Sequence, residues 1–391
     1  MVKTRYLVEP IAEDLKAKMV FVGGPRQVGK TTLARSLVAA HFRETAYFNW
    51  DKKSERVKMM AAEWPASAEL IVLDEIHKYR AWKRFVKGEF DTHRDKYHFM
   101  VTGSARMDIY RKGGDSLQGR YHHYRLHPFS VAELAGLPAP ALEPFKELSL
   151  PSGEYREAFL LLEKRGGFPE PLFAGSERTL RRWHNERNER LFREDIKDVE
   201  FVRDLGNMQL LSDMLPGKVG SLLSVNSLRE DLEVSHRAVS NWLNILERFY
   251  YHFRIRPFTW SKIRSLKKEP KLYLWDWSEV PDEASRFENM VASHLLKLVH
   301  WLNDREGYKA ELYFLRDTAK REVDFLVVVD GKPWFAAEVK SQSEHVAATL
   351  PYFRDRLSVP FCYQLLRKPG IDKISGGIRI VSADKFLAAL V

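Results

Sequence analysis

Residues 18–32 read KMVFVGGPRQVGKTT: five residues of strand character run straight into Gly24, Pro25, Arg26, Gln27, Val28, Gly29, Lys30, Thr31 and Thr32. The spacing G-x-x-x-x-G-K-T, with a strand before it and a helix predicted over 32–40 after it, is a phosphate cradle. Glycines at 24 and 29 let the main chain curl against phosphate oxygens without a Cβ in the way. The amides then converge at a helix N-terminus, where the macrodipole also favours anions. Lys30 brings a point charge to the outer phosphates, and the Thr31 hydroxyl is an oxygen ligand for Mg²⁺. A plain glycine turn before a helix is the bland reading of the same residues, so a partner motif has to be found.

Residues 70–75, LIVLDE, supply it. Four apolar residues end in Asp74 and Glu75, at the carboxyl end of a strand, where ligands of open α/β sheets sit. Asp74 is placed to hold the metal's water shell, and Glu75 to orient and deprotonate an attacking water. Residues 98–102, HFMVT, form a further strand whose end offers Thr102 or Ser104 to the phosphate or the water; the sequence does not choose between them. Arg120 stands just ahead of a strand over 122–126, where it can reach a nucleotide held by an adjacent subunit or merely sit on the surface. With a strand over 45–50, these runs alternate with helical stretches. They predict a parallel sheet covered on both faces, joined by right-handed crossovers.

The runs GPRQVGKTTLA at 24–34, LDEIHKYRAW at 73–82, VTGSA at 101–105 and SLQGRYHHYRLHPFSVAEL at 116–134 resemble the prokaryotic AAA+ ATPases of the P-loop class, in which a domain of unknown function follows the ATPase. The resemblance implies ATP and Mg²⁺ as ligands and an oligomeric assembly. It also implies a catalytic Glu beside the metal-binding Asp, matched by Glu75, and an extra strand between the two nucleotide motifs, matched by residues 45–50. No N-K-x-D guanine-reading sequence occurs, and no helical lid with a second sensor arginine follows directly.

Beyond the first 137 residues the character changes. Residues 138–154 hold Pro138, Pro140, Pro144 and Pro151, which can continue neither a helix nor a central strand, so a linker is expected there. Residues 155–281 read as mostly helical. Within them, 227–232 and 236–246 bracket a short turn, with Ser235 as N-cap of the second helix. His236, Arg237, Ser240, Asn241 and Asn244 fall on its outer face, able to meet base edges or phosphates. Residues 250–257, YYHFRIRP, suit the strand pair of a wing, with Lys262, Arg264, Lys267 and Lys268 nearby for phosphates. That is a winged helix-turn-helix, a fold that serves DNA or protein contacts alike.

Residues 282–391 read as a small α/β unit: a helix over 286–301, then strands. Asp324, then Glu338 and Lys340, preceded by Glu288 on the helix, are similar to the D…E-x-K core of restriction-endonuclease-like folds. An active site of that kind needs Asp324 and Glu338 on one face for Mg²⁺, with Lys340 serving the water; a degenerate, non-cleaving fold is the alternative. Side chains repeat every two residues along a strand. A two-residue Asp330-Gly331 turn therefore sends Glu338 to the wrong face, and a three-residue connection is expected instead.

Composition bounds the rest. The 391 residues carry 63 Lys and Arg against 53 Asp and Glu, a formal charge of +10, which favours DNA as partner. The single cysteine, Cys362, excludes an intramolecular disulfide and suits the cytoplasm. No apolar run is long enough to span a membrane, and 13 histidines show no zinc spacing. The expectation is an ATP-hydrolysing AAA+ protein acting on DNA, with an ATP-gated nuclease or a non-hydrolysing DNA-associated switch as alternatives.

Overall fold

The computed structural model describes residues 3–103, 117, 119–196, 204–260 and 268–391, the side chains of 194 and 195 aside. Two compact units divide at His127/Pro128. The first contains five parallel strands: β1 (Met19–Gly23), β2 (Thr45–Asn49), β3 (Leu70–Asp74), β4 (His98–Thr102) and β5 (Tyr121–Arg125), in the order β2-β3-β4-β1-β5. β1 and β3 are buried along their whole length, as their unbroken apolar runs require.

The strand expected between the two nucleotide motifs forms at Thr45–Asn49, and in the sheet it takes the edge position outside β3. The strand standing between β1 and β3 is β4, whose Met100 pairs with both Val20 and Val72. Chain order alone does not carry that information, since the crossover from β3 passes back toward β1 before β5 forms.

The second unit, Pro128–Val391, is built on an eight-stranded mixed sheet. Its strands are β6 (His252–Pro257), β7 (Lys271–Leu274), β8 (Ala310–Arg316), β9 (Glu322–Val329), β10 (Lys332–Lys340), β11 (Phe361–Leu366), β12 (Asp372–Ser375) and β13 (Ile378–Ser382), in the order β12-β13-β11-β10-β9-β8-β6-β7. The helix Glu283–Asp304 is capped at Asp282, which accepts from Ser285 N at 2.8 Å.

The wing expected over residues 250–257 is replaced by a single strand, β6. It pairs antiparallel with β7 and parallel with β8, so the middle region supplies the last two strands of the C-terminal sheet. Apolar Phe253 and Ile255 alternate with Arg254 and Arg256 along β6, a pattern as good for an outer strand of a large sheet as for a hairpin arm. The proline-rich stretch contains no strand but is packed. Leu148 is buried and its N–H donates to the Tyr363 hydroxyl at 3.1 Å, while the Lys146 carbonyl accepts from Trp334 Nε1 at 2.8 Å. Among the described residues no helix is long and apolar enough to cross a membrane.

Candidate nucleotide site and a carboxylate cluster

The loop after β1 is shaped by three residues in left-handed or related backbone: Gly24 (φ 150°), Gln27 (φ 61°) and Gly29 (φ 103°). Gly24 has a second reason to lack a side chain, because a Cβ there would stand 2.5 Å from the Leu126 carbonyl oxygen beyond β5. Arg5 braces the loop from outside, donating to the Val28 carbonyl at 2.9 Å and to the His127 carbonyl. After Gly29 the chain turns helical at Lys30–Thr32 and continues in wide turns over Leu33–Val38.

Lys30 is only 7% exposed and folds back on the loop, donating to the Gly24 and Pro25 carbonyls at 3.0 and 2.7 Å. Asp74, at the end of β3, is the hub. Its Oδ2 accepts from Thr31 Oγ1 at 3.1 Å and from the Tyr47 hydroxyl, and its Oδ1 accepts from Thr102 Oγ1 at 2.5 Å. Of the two hydroxyls left open by the sequence, Thr102 thus reaches the site; Ser104 lies outside the described residues. Burial and the Asp74 charge push the Tyr47 phenol up, which keeps it a donor.

Glu75 turns away from the strand in left-handed backbone (φ 59°), its N–H tied to the Thr102 carbonyl at 2.9 Å. Its carboxylate is 20% exposed and lies 3.8 Å from Lys78 Nζ. Burial pushes its pKa up; Asp74 adds to that, and Lys30 and Lys78 oppose it. A hydroxyl and a carboxylate, Thr31 and Asp74, form a hard oxygen donor set that fits Mg²⁺. Beside them, on the β2 side, opens a cleft of about 620 Å³ lined by Thr31, Arg35, Tyr47, Asn49, Asp51, Lys52 and Glu55. Arg120 lies elsewhere, at the amino end of β5, where Nε donates to Asp91 Oδ1 at 2.7 Å.

In the second unit, the connection between β9 and β10 is the two-residue turn, Asp330 (φ 48°) and Gly331 (φ 80°), with Val329 opposite Lys332. The expected three-residue connection is therefore wrong. The parity is nevertheless restored, because the register slips by one at Trp334: Pro333 faces Val328, but Phe335 faces Val327 and Ala337 faces Phe325. Asp324 and Glu338 consequently meet. Val339 N donates to Asp324 Oδ2 at 3.0 Å, Asp324 N to Glu338 Oε2 at 3.2 Å, and Lys340 Nζ lies 2.6 Å from Glu338 Oε1.

Asp324 also shares an ammonium with two further acids. Lys271, at the head of β7 and 3% exposed, places Nζ 2.7 Å from Glu322, 3.2 Å from Asp324 and 3.3 Å from Glu288. Burial would lower its pKa, but the surrounding carboxylates outweigh that and hold it charged. Glu288, which also accepts from the Tyr273 hydroxyl at 2.7 Å, and Glu338 are both pushed up by burial and by Asp324. Among the described residues no three acids, histidines or cysteines are arranged to hold a metal ion. As they stand, these residues do not fit a catalytic metal.

In the middle region the helices Val225–Asp231 and His236–Arg248 form as expected, with the Ser235 hydroxyl accepting from Ala238 N at 3.2 Å. Val239, Trp242, Leu243 and Leu246 are buried. His236, Arg237, Asn241 and Asn244 are exposed and Ser240 is half-buried, while Asn244 accepts from Arg254 at 2.8 Å. Two residues central to these sites, Tyr47 and Lys271, escaped the sequence reading. A lysine heading the otherwise apolar run KLYL was the one available sign of a buried countercharge.

The family model described as AAA domain matches residues 16–135, and models for two domains of unknown function, DUF8612 and DUF4143, match 156–279 and 285–384. Uncharacterized proteins of Mycobacterium tuberculosis and Mycobacterium bovis are each 22% identical over 341 residues, spanning 84% of this chain and 71% of theirs. Among solved structures, the Thermotoga maritima RuvB Holliday junction branch migration motor is 16% identical, with a TM-score of 0.32 over 63% of this chain and 87% of its own. PCH-2 of C. elegans is 14% identical, with a TM-score of 0.27 over 48% and 66%. With the cradle geometry already in place, the first part of this chain is similar, over residues 16–135, to the family described as AAA domain.

Proposed function

We propose that the protein binds and hydrolyses ATP in its N-terminal unit, as a cytoplasmic homo-oligomer, and couples turnover to conformational change on DNA. One observation carries the catalytic part: Lys30, Thr31, Asp74, Glu75 and Thr102 converge at the carboxyl ends of β1, β3 and β4. The Gly24–Thr32 amides receive the phosphates, and Lys30 exchanges its carbonyl partners for phosphate oxygens. Mg²⁺ held by Thr31 and Asp74 would neutralise charge on the outer phosphates. Glu75 takes the proton of the attacking water, and Thr102 keeps Asp74 oriented.

Phosphate release by the purified protein tests this. Lys30→Ala is expected to lose ATP binding, and Glu75→Gln to retain binding while turnover falls by about 10²–10⁴-fold. Binding by Lys30→Ala equal to wild type would sink the reading. DNA as partner rests on the charge of +10 and on the exposed His236, Arg237, Asn241 and Asn244. Duplex binding that weakens steeply with salt is expected, and binding indifferent to salt speaks against it. The ATP-gated nuclease draws support from the convergence of Glu288, Asp324, Glu338 and Lys340, and the Lys271 ammonium among them stands against it. Metal-dependent nicking abolished by Asp324→Ala and Lys340→Ala would revive it.

A further inference from the structure

One oxygen of Asp74, Oδ2, is fully occupied by hydroxyl donors. A carboxylate offers about two in-plane acceptor positions on each oxygen. On Oδ2 both are taken, one by Thr31 Oγ1 at 3.1 Å and one by the Tyr47 hydroxyl, while Thr102 occupies Oδ1 at 2.5 Å. Thr31 belongs to the loop that carries the nucleotide and Thr102 to the strand between β1 and β3. Tyr47 comes from the opposite side, the edge strand β2. Its ring lies under the Arg35 guanidinium, 4.7 Å from the ring centroid. It also forms a wall of the open cleft, so a displaced phenol has somewhere to go.

We infer that the Tyr47 hydroxyl is a placeholder for metal-bound water on Asp74, released from the carboxylate when a magnesium-nucleotide loads. This rests on the nucleotide reading above and adds to it a residue and a direction of movement. A water in the metal's shell is an O–H donor of the same kind as the phenol and competes for the same oxygen. The released ring turns toward Arg35, Asn49 and Glu55, so that loading of the site is felt on the edge strand. Tyr47 is thus a positioning residue, and it touches no phosphate.

The test compares wild type with Tyr47→Phe, which keeps the ring and removes only the hydroxyl. ATP affinity is measured by calorimetry on the full chain, in EDTA and across a Mg²⁺ titration. The ratio of affinities with and without Mg²⁺ is expected to rise on the order of tenfold in the variant, since the metal no longer displaces a charge-assisted hydrogen bond. Separately, 3-fluorotyrosine labelling of the wild type, with the Tyr47 resonance assigned by its absence in the variant, is expected to show a shift on adding ATP with Mg²⁺ and none with ATP in EDTA. A ratio that falls would make Tyr47 a prop for the loaded state and overturn the placeholder. So would an unchanged ratio, or a resonance indifferent to the metal. If wild type takes up no ATP under either condition, the nucleotide reading itself is lost and this inference with it.

Discussion

Glu75 illustrates how a single residue's backbone sets its chemistry. The left-handed φ of 59° turns the chain out of β3 immediately after Asp74, so two adjacent acids point to different tasks. Burial raises the Glu75 pKa above the ordinary carboxylate value, so a larger protonated fraction persists at mildly acid pH. A general base must be deprotonated to act. The acid limb of the turnover-versus-pH profile is therefore expected to lie above the usual glutamate range, and to vanish in Glu75→Gln together with the activity. A limb at the ordinary value would remove Glu75 from that role. Thr102 is testable by stability instead. Thr102→Val leaves the buried Asp74 Oδ1 without its donor, and a loss of about 1–3 kcal/mol in denaturant unfolding is expected. The residue level was largely legible in advance, because the glycine spacing and the paired acids are dictated by phosphate and metal chemistry. Tyr47 was not, since an aromatic on a strand reads as core until its hydroxyl is seen on a carboxylate.

At the level of elements, short runs of strand character, three of them continuously apolar, located every strand of the first sheet to within a residue or two. Their lateral order was hidden, because order depends on which crossover packs over which face. The β9–β10 hairpin shows the same divide in sharper form. Asp330-Gly331 is a good two-residue turn, and the parity argument built on it was sound, but the slip at Trp334 reversed its outcome. A bulge is a local packing solution that alternation alone does not announce. The cluster it creates has an energetic signature. Lys271→Met leaves the partly buried Glu288 and Asp324 without this buried cation, while Glu322 keeps Arg316, and a loss of about 3–5 kcal/mol is expected near neutral pH. The pH dependence follows from Glu288 and Glu338, whose folded-state pKa values stand above the unfolded ones. Such groups favour folding fully below the unfolded pKa and lose that contribution as pH rises through the folded value. The deficit of the variant is therefore expected to be smaller at pH 5 than at pH 8. An equal deficit at both would mean that the ammonium is not what balances these acids.

At the scale of the whole molecule, Arg120 raises the question of what completes the nucleotide site. β1 and β5 run parallel with Met19 opposite Tyr121, so Arg120 stands at the amino end of the sheet while the cradle opens at the carboxyl end. Five residues of strand separate the two ends, roughly 16 Å. A guanidinium there cannot reach its own chain's phosphates, and it is paired with Asp91. If Arg120 takes part in hydrolysis, it does so for a neighbouring copy. Arg120→Ala is then expected to lower turnover by about 10³-fold while leaving ATP affinity near that of wild type. Mixing is the decisive measurement. A Lys30→Ala chain cannot bind nucleotide but still carries Arg120, and an Arg120→Ala chain has an intact cradle but no guanidinium to lend. Combined in one assembly, the two inactive proteins are expected to recover turnover that neither shows alone, rising with the fraction of Lys30→Ala chain until the intact cradles of the Arg120→Ala chain become scarce. Turnover that stays at the sum of the two parents would confine Arg120 to its ion pair with Asp91.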